Sequence, residues 1–452
     1  MNIVIFGAGL FYQNRKRCLE KQKILAILDN DRNKQGSFLD GIEIQSVSAI
    51  KELEYDIIIL MGKEDSLMRE QLFSLGVDTR YVCSFNEWEE YIASVSEKYL
   101  GLFHDIAGKR IVLVTHELSN SGAPIVLGEF AKILKKRGYG PIMLSPCNGP
   151  LKESIENAGI PVLIEEDLSR ENRELWGWLA DIGTIIVNTL ILKEFVMELG
   201  GRRNKVIWWL HEGEDIYDDV EHLTGGFKKV GKNVQVVSAG PVATNSYIRH
   251  FHDKHIQPLF YGLPDLKQSN KPNKLVFALI GAIQPRKAQD IFIDAVKILP
   301  PYIKSCSEFW IIGKELNQEY AQDVKKSSIA VPEIKFLGEI DSQEMDKVYE
   351  NINVIVCPSR IDTMPVVVAE GFKHAIPCII SENVGQSSLI QNEKEGLICQ
   401  KEDYEDLSMK MAWFFFHPEK HFQMGNAARR FYEQNFSMEQ FEKNIIRLIE
   451  EG

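Results

Sequence analysis

Cysteine is scarce and unpatterned in this chain: Cys18, Cys83, Cys147, Cys306, Cys357, Cys378 and Cys399 are odd in number and form no C-x-x-C pair. Neither a disulfide framework nor a zinc site is predicted, and a reducing cytoplasm fits this usage. No apolar run approaches the roughly 20 residues needed to cross a bilayer. The opening MNIVIFGAGL is interrupted too soon for a signal peptide. Any membrane contact is therefore expected to be peripheral, at the inner face. Excess positive charge is also lacking, and a net charge of -12 argues against wholesale nucleic-acid binding. The basic run Lys135, Lys136, Arg137 could touch a membrane or an anionic substrate, although a solvated helix end is the simpler reading of it. There is no low-complexity tract and no internal repeat beyond a recurrence of α/β units.

What is present is a globular composition, 44% hydrophobic and 26% charged over 452 residues, enough for roughly two to three domains. Short buried strands are predicted at 2–6, 24–28, 56–61 and 80–84, separated by helical crossovers. After a polar segment near 96–109 a second series is predicted at 110–115, 141–145, 161–164, 184–188, 205–210 and 234–238. The polar, proline-bearing stretch from Pro264 to Lys274 reads as a linker. A third series is predicted at 275–280, 308–312, 334–337, 353–357, 377–381 and 397–399, closed by helices near 403–416 and 437–450. The expected division is 1–95, 109–264, 274–435 and a closing helix over 436–452. Open parallel sheets bind ligands beyond the carboxyl ends of their strands, so two successive doubly wound units joined by a linker imply a cleft.

The most informative stretch is VIVCPSRIDTMPVVVAEGFKHAIP at 354–377. It reads as an apolar strand, a polar loop and a helix opening at Pro365, a residue suited to a first helical position because its missing N–H would be unpaired there anyway. The free amides of such a helix start attract phosphate. Asp362 on the loop and Glu370 inside the helix lie eight positions apart and could hold neutral hydroxyls on either side of a diphosphate.

This pattern resembles the E-x7-E signature of retaining glycosyltransferases of family 4, with aspartate in place of the first glutamate. Strand order and spacing over about residues 109–452 resemble the GT-B architecture of that family, two Rossmann-like domains facing across a cleft. The first hundred residues are then an added Rossmann-like domain.

The resemblance extends to further segments. IGAIQPRKAQDIFIDAVKIL at 280–299 is similar to the family's G-R-x(4)-K-G element, in which an arginine and a lysine bind the donor phosphates. Lys287 matches the lysine; Ala282 stands in the arginine position, Ala288 replaces the following glycine, and Arg286 is the candidate substitute cation. VIWWLHEGEDIY at 206–217 ends a strand and presents His211, matching the family's histidine near the donor sugar. THELSNSGAPIVLGEFAKILKKRGY at 115–139 resembles the first loop of the N-terminal GT-B domain, with Gly122 carried over and Ala123 in place of a second glycine. FLGEIDSQEMDKVYENINVIVCPS at 336–359 nominates Ile340 to stack on a base. In VGQSSLIQNEKEGLIC at 384–399, Ser388 falls where the family often has an acid.

Two other motifs point elsewhere. FGAGLFYQN at 6–14 is a G-x-G with Tyr12 where a dinucleotide fingerprint has its third glycine, followed by Asp29 at the next strand end. Asp29-Asn30-Asp31 mimics a metal-binding D-x-D but reads as a loop. His250, His252 and His255 in RHFHDKH lack acid or cysteine partners at ligand spacing and read as solvated.

The resemblance implies a metal-independent hexosyl- or N-acetylhexosaminyltransferase without a cofactor. Its donor would be a nucleotide-diphosphate sugar, with UDP as the expected carrier. The acceptor is expected to be a saccharide, a lipid-linked saccharide or a protein, in polysaccharide or glycoconjugate biosynthesis. Asp362, Glu370 and His211 are the implied catalytic residues, and Gly122, Arg286, Lys287, Ile340, Met364, Pro365 and Val366 the donor-binding ones. A homo-oligomer, or docking through residues 1–95, is the expected role of the added domain. A sugar-nucleotide epimerase, a phosphorylase and a non-catalytic partner subunit remain as alternatives.

Overall fold

The computed structural model describes residues 2–19, 23–63, 65–78, 81–94, 106, 108–224, 226–265 and 274–450. Most of the expected 96–109 segment and of the 264–274 linker lies outside them. The described strands form three sheets.

The first sheet contains β1 (Asn2–Phe6), β2 (Lys23–Leu28), β3 (Phe38–Leu39), β4 (Ile42–Gln45), β5 (Ile57–Leu60) and β6 (Val82–Ser84), in the order β3-β4-β2-β1-β5-β6. Its alternation follows the two-residue period of a strand. Ile3, Ile5, Ile27, Ile57 and Ile59 enter one apolar cluster, while Val4, Phe6, Ala26, Leu28, Ile58 and Leu60 enter another. A sheet buried on both faces needs such continuous apolar runs. The antiparallel pair β3-β4 was not among the predicted strands. It turns at Asp40 and Gly41, both at positive φ (53° and 80°), as a two-residue hairpin demands. Tyr12 is buried in this domain and its hydroxyl donates to Asp40 at 3.1 Å. Asp29 Oδ2 accepts the Ala8 N–H at 2.7 Å and pairs with Lys34 at 3.1 Å, so its carboxylate is engaged by the glycine loop of its own domain.

The second sheet has seven strands: β7 (Arg110–Val114), β8 (Gly140–Ser145), β9 (Val162–Ile164), β10 (Thr184–Asn188), β11 (Lys205–Leu210), β12 (Val234–Ser238) and β13 (Ile256–Pro258). Their order is β13-β12-β11-β10-β7-β8-β9. The third has six, in the order β16-β15-β14-β17-β18-β19: β14 (Leu275–Ile280), β15 (Ser307–Ile312), β16 (Ile334–Gly338), β17 (Val354–Cys357), β18 (Cys378–Ser381) and β19 (Gly396–Cys399). Its neighbouring strands all pair in parallel. After it come helices Tyr404–Phe416, Pro418–Asn435 and Met438–Glu450. The middle one, 18 residues long and opened by Pro418 at its first position, was missed in the sequence reading.

By contacts the chain divides into two compact units, Met1–Trp208 with Lys229–Gln235, and Trp209–Lys228 with Val236–Gly452. In the first, helix Phe85–Ser94 packs against helix Arg173–Ala180. The buried pair Glu90–Arg202 bridges this region at 2.8 Å, with the Arg202 guanidinium 4.5 Å from the centre of the Trp176 ring. In the second, the closing helix brings Phe441 to 5.8 Å from Trp209, and Phe436 lies 5.4 Å from Tyr261, ring centre to ring centre.

Candidate active site

Strands β14 and β17 lie side by side and run parallel, Phe277 opposite Val354 and Ala278 opposite Ile355. The loops that follow them therefore leave the sheet at the same edge. This is why residues 75 positions apart meet. Lys287 Nζ lies 2.5 Å from Asp362 Oδ2 and Arg286 Nη1 lies 3.3 Å from the same oxygen. Lys287 and Asp362 are largely buried and Arg286 is partly exposed. Two cations on one carboxylate leave the trio with a net positive charge, an arrangement suited to receiving an anion.

The backbone around Asp362 is fixed from the neighbouring loop. Asp362 bridges Val384, and its carbonyl accepts the Gly385 N–H at 2.9 Å. A Cβ on Gly385 would collide with the Thr363 carbonyl, so only glycine permits this approach. Gln386 is fully buried and its side-chain amide donates to the Pro365 carbonyl at 2.9 Å. Helix Val366–Lys373 starts one residue later than predicted. Pro365 is the capping residue with ψ of 124°, so the first helical position belongs to Val366, which has the N–H that Pro365 lacks. Met364 and Pro365 are buried, and Val366 is exposed.

Glu370 projects from this helix and accepts the Tyr349 hydroxyl at 2.6 Å. Tyr349 is buried, and burial together with the Glu370 charge pushes its phenol well up, so it stays a neutral donor. Its ring stacks on His374 at 4.9 Å, and His374 Nε2 lies 3.1 Å from Asp346. Tyr261 is a second buried phenol: it donates to the Met364 carbonyl at 3.3 Å. It is held neutral by burial first and then by the charges of Glu370 and Asp362. Sequence reasoning missed both tyrosines, because no spacing links them to the acids.

His211 follows β11, its ring 4.7 Å from that of Trp209 and its N–H donating to Glu212 at 2.9 Å. The loop it opens runs beside Ile361, since a Cβ on Gly213 would lie 3.5 Å from Ile361 Cδ1. His211 thus belongs to the same compact unit as Lys287, Asp362 and Glu370. Ile340 lies just past β16, half-buried, at the same carboxyl edge of the third sheet.

Gly122 belongs to the first unit, exposed at the start of helix Gly122–Lys136, with no atom within 4 Å of where a Cβ would sit. Nearby, the sequence reading passed over His116. Its Nδ1 lies 3.2 Å from Thr189 Oγ1, and burial lowers its pKa. Thr189 itself is buried at φ 76° and ψ 154°. His252 and His255 are exposed, as the sequence suggests, but His250 departs from the solvated reading. It is half-buried, stacked on Tyr217 at 4.9 Å and 2.9 Å from Glu214, because the packing of helix Pro241–Phe251 beside helix Glu214–Thr224 encloses it. Among the described residues no group of three or more His, Cys, Asp or Glu is placed to hold a metal ion.

Residues 264–431 match the family model for glycosyl transferases group 1, residues 107–250 that for glycosyl-transferase family 4, and residues 1–83 that for a C2185-like N-terminal domain. Among curated proteins, the chain is 26% identical over 137 residues to UDP-Gal:alpha-D-GlcNAc-diphosphoundecaprenol alpha-1,3-galactosyltransferase of Escherichia coli. That match covers 30% of this chain and 35% of the relative. It is 24% identical over 208 residues to sulfoquinovosyl transferase SQD2 of Arabidopsis thaliana, 44% of this chain and 39% of the relative. The matches thus span only a little over a third of these relatives' length. Among solved structures, HepE of Anabaena in complex with UDP superposes with a TM-score of 0.63 at 15% identity, over 76% of this chain and all of that one. A glycosyltransferase from Rickettsia africae gives 0.61 at 16% identity, over 76% of this chain and 98% of that one. The fold is that of GT-B glycosyltransferases, and no helix among the described residues is long and apolar enough to cross a membrane.

Proposed function

We propose that this chain, which carries the two modules of a GT-B glycosyltransferase behind a C2185-like domain, moves a sugar from a UDP-sugar to a hydroxyl acceptor with retention of configuration. The observation that carries the reading is the convergence of Arg286 and Lys287 on one oxygen of Asp362 at the carboxyl ends of β14 and β17. UDP is favoured as carrier because HepE was solved with UDP and with UDP-glucose, and the E. coli relative is named for UDP-galactose.

On binding, the donor's diphosphate takes over the two cations and releases Asp362 to hold the sugar hydroxyls. Glu370, steadied by Tyr349, holds the ribose, and His211 lines the reacting face. Ile340 stacks on the base. The amides of Met364 and Val366 complete the phosphate environment. The bond between the anomeric carbon and the diphosphate oxygen breaks while the acceptor oxygen bonds to that carbon on the same face. The departing diphosphate takes the acceptor's proton. Charge grows on the leaving oxygen, and preorganised cations stabilise it most where it grows most. The cations are side chains, so the proposed reaction needs no metal ion. The acceptor is a saccharide, a lipid-linked saccharide or a protein, and the sugar a hexose or an N-acetylhexosamine.

The test is thermal stabilisation by UDP-glucose, UDP-galactose and UDP-N-acetylglucosamine, since a ligand bound only to the folded state raises its stability by mass action. Transfer of the stabilising sugar is then followed, with the product anomer read by NMR. No stabilisation by any nucleotide sugar, or an inverted product, would overturn the proposal.

A further inference from the structure

Three loops of the second unit meet at one side chain that the proposed chemistry leaves unused. Arg360 lies two residues before Asp362, and its Nη1 and Nη2 reach Asp290 Oδ1 and Oδ2 at 3.1 and 2.6 Å. Nη1 also donates to the Pro285 carbonyl at 2.6 Å, and Nε to Glu402 Oε1 at 2.8 Å. The backbone N–H of Arg360 donates to the Arg286 carbonyl at 2.9 Å. Burial alone would raise the Asp290 carboxyl, but Arg360 and the Tyr320 hydroxyl, 2.7 Å away, hold it below its ordinary range. The Arg360–Asp290 pair is therefore charged at neutral pH. It ties both flanks of the Pro285–Lys287 turn to the loop that carries Asp362.

That turn needs holding. Ala288, immediately after Lys287 and fully buried, sits at φ 57° and ψ 44°, the left-handed region that a side chain with a Cβ disfavours. Glycine would adopt this conformation freely; alanine relaxes from it unless its surroundings fix it.

We propose that Arg360, together with Asp290, is a positioning residue that keeps Arg286 and Lys287 aimed at the donor's diphosphate by restraining the strained turn at Ala288. The inference rests on the glycosyltransferase reading. A lysine at 360 keeps the charge but not the planar fork that grips two carboxylate oxygens.

The experiment is calorimetric binding of UDP, inorganic pyrophosphate and uridine to the full chain. R360K is expected to weaken UDP and pyrophosphate roughly tenfold and to leave uridine unchanged, because the restraint acts on the phosphate-binding turn alone. A288G added to R360K is expected to recover most of the loss, since glycine adopts the left-handed turn without the strain that the restraint offsets in alanine. If R360K does not fold, D290N carries the same test. Wild-type affinity for UDP in the variant, equal loss of uridine and UDP, or no recovery with A288G would each overturn the inference. A wild-type chain that binds none of the three probes would instead overturn the glycosyltransferase reading on which it stands.

Discussion

Asp362 is the residue at which one charge sets both binding and turnover. Its carboxylate occupies the two cations that the proposed donor must claim, so ligand binding has to break that pairing. D362N is therefore expected to bind UDP more tightly than the wild-type chain, by about tenfold, a modest share of the Coulomb energy at such separations. It is expected to transfer sugar more slowly, because the carboxylate released by the donor is gone. Calorimetry and a transfer assay on the same preparation check both signs, and weaker UDP binding would defeat the exchange. Lys287→Ala and Glu370→Ala should each lose activity, the former by roughly 100- to 1,000-fold, as when one preorganised charge-stabilising group is removed. Their circular dichroism should be unchanged. Asp362, Glu370 and Lys287 were nominated by the resemblance of their motifs to those of a known family, whereas Tyr349, Tyr261 and Arg360 enter the site only through packing.

At the scale of elements, helix Val366–Lys373 shows how the site is braced. Glu370 leans on Tyr349, Tyr349 on His374, and His374 on Asp346. Burial, then the Lys373 charge, lowers the His374 pKa below its ordinary value despite the Asp346 contact. A group whose folded pKa is depressed adds stability that is fully present above its unfolded pKa and is lost as pH falls toward the folded one. The contribution of His374 is therefore complete at pH 7.5 and declines below about 6.5. Urea unfolding at pH 7.5 and at pH 5.5 should show a smaller loss of stability for H374Q than for the wild-type chain; an equal or larger loss would refute the assignment. The Asp40-Gly41 pair is a local hairpin signal, and the sequence reading overlooked it. Helix Pro418–Asn435 likewise carries a start signal in Pro418, overlooked beside the apolar run that precedes it.

For the whole molecule, the added domain is built into the first unit. Arg202 is buried against Trp176 and pairs with Glu90, which comes from the N-terminal domain's last described helix. Removing one partner of a buried pair strands the other, at a cost of about 3–5 kcal/mol. E90A should therefore destabilise the chain strongly in urea. The double variant E90L/R202M should recover much of that loss, because apolar side chains of similar size can replace a buried pair. A chain starting at residue 96 loses this packing, yet the candidate donor residues of the second unit are untouched; UDP binding should persist while solubility falls. Activity of the full chain in excess EDTA is expected to equal that without it, and rescue by added manganese would contradict the side-chain-only neutralisation proposed here.

The sequence determined the alternation of strands and helices and the linear motifs around Asp362, Glu370, Lys287 and His211. Apolar periodicity and loop residues are local properties of the chain, readable without neighbours. Tertiary structure alone decided which residues meet. The parallel pairing of β14 with β17 sets Lys287 and Arg286 on Asp362, and the packing of helix Ser342–Tyr349 places a phenol on Glu370. The closing helix reaches back to Trp209. Ala288 shows the division most plainly: the sequence marks it as an alanine where glycine is usual, and only the folded chain supplies the Arg360 contacts that hold its left-handed backbone in place. Such contacts depend on distances through space, which no spacing along the chain encodes.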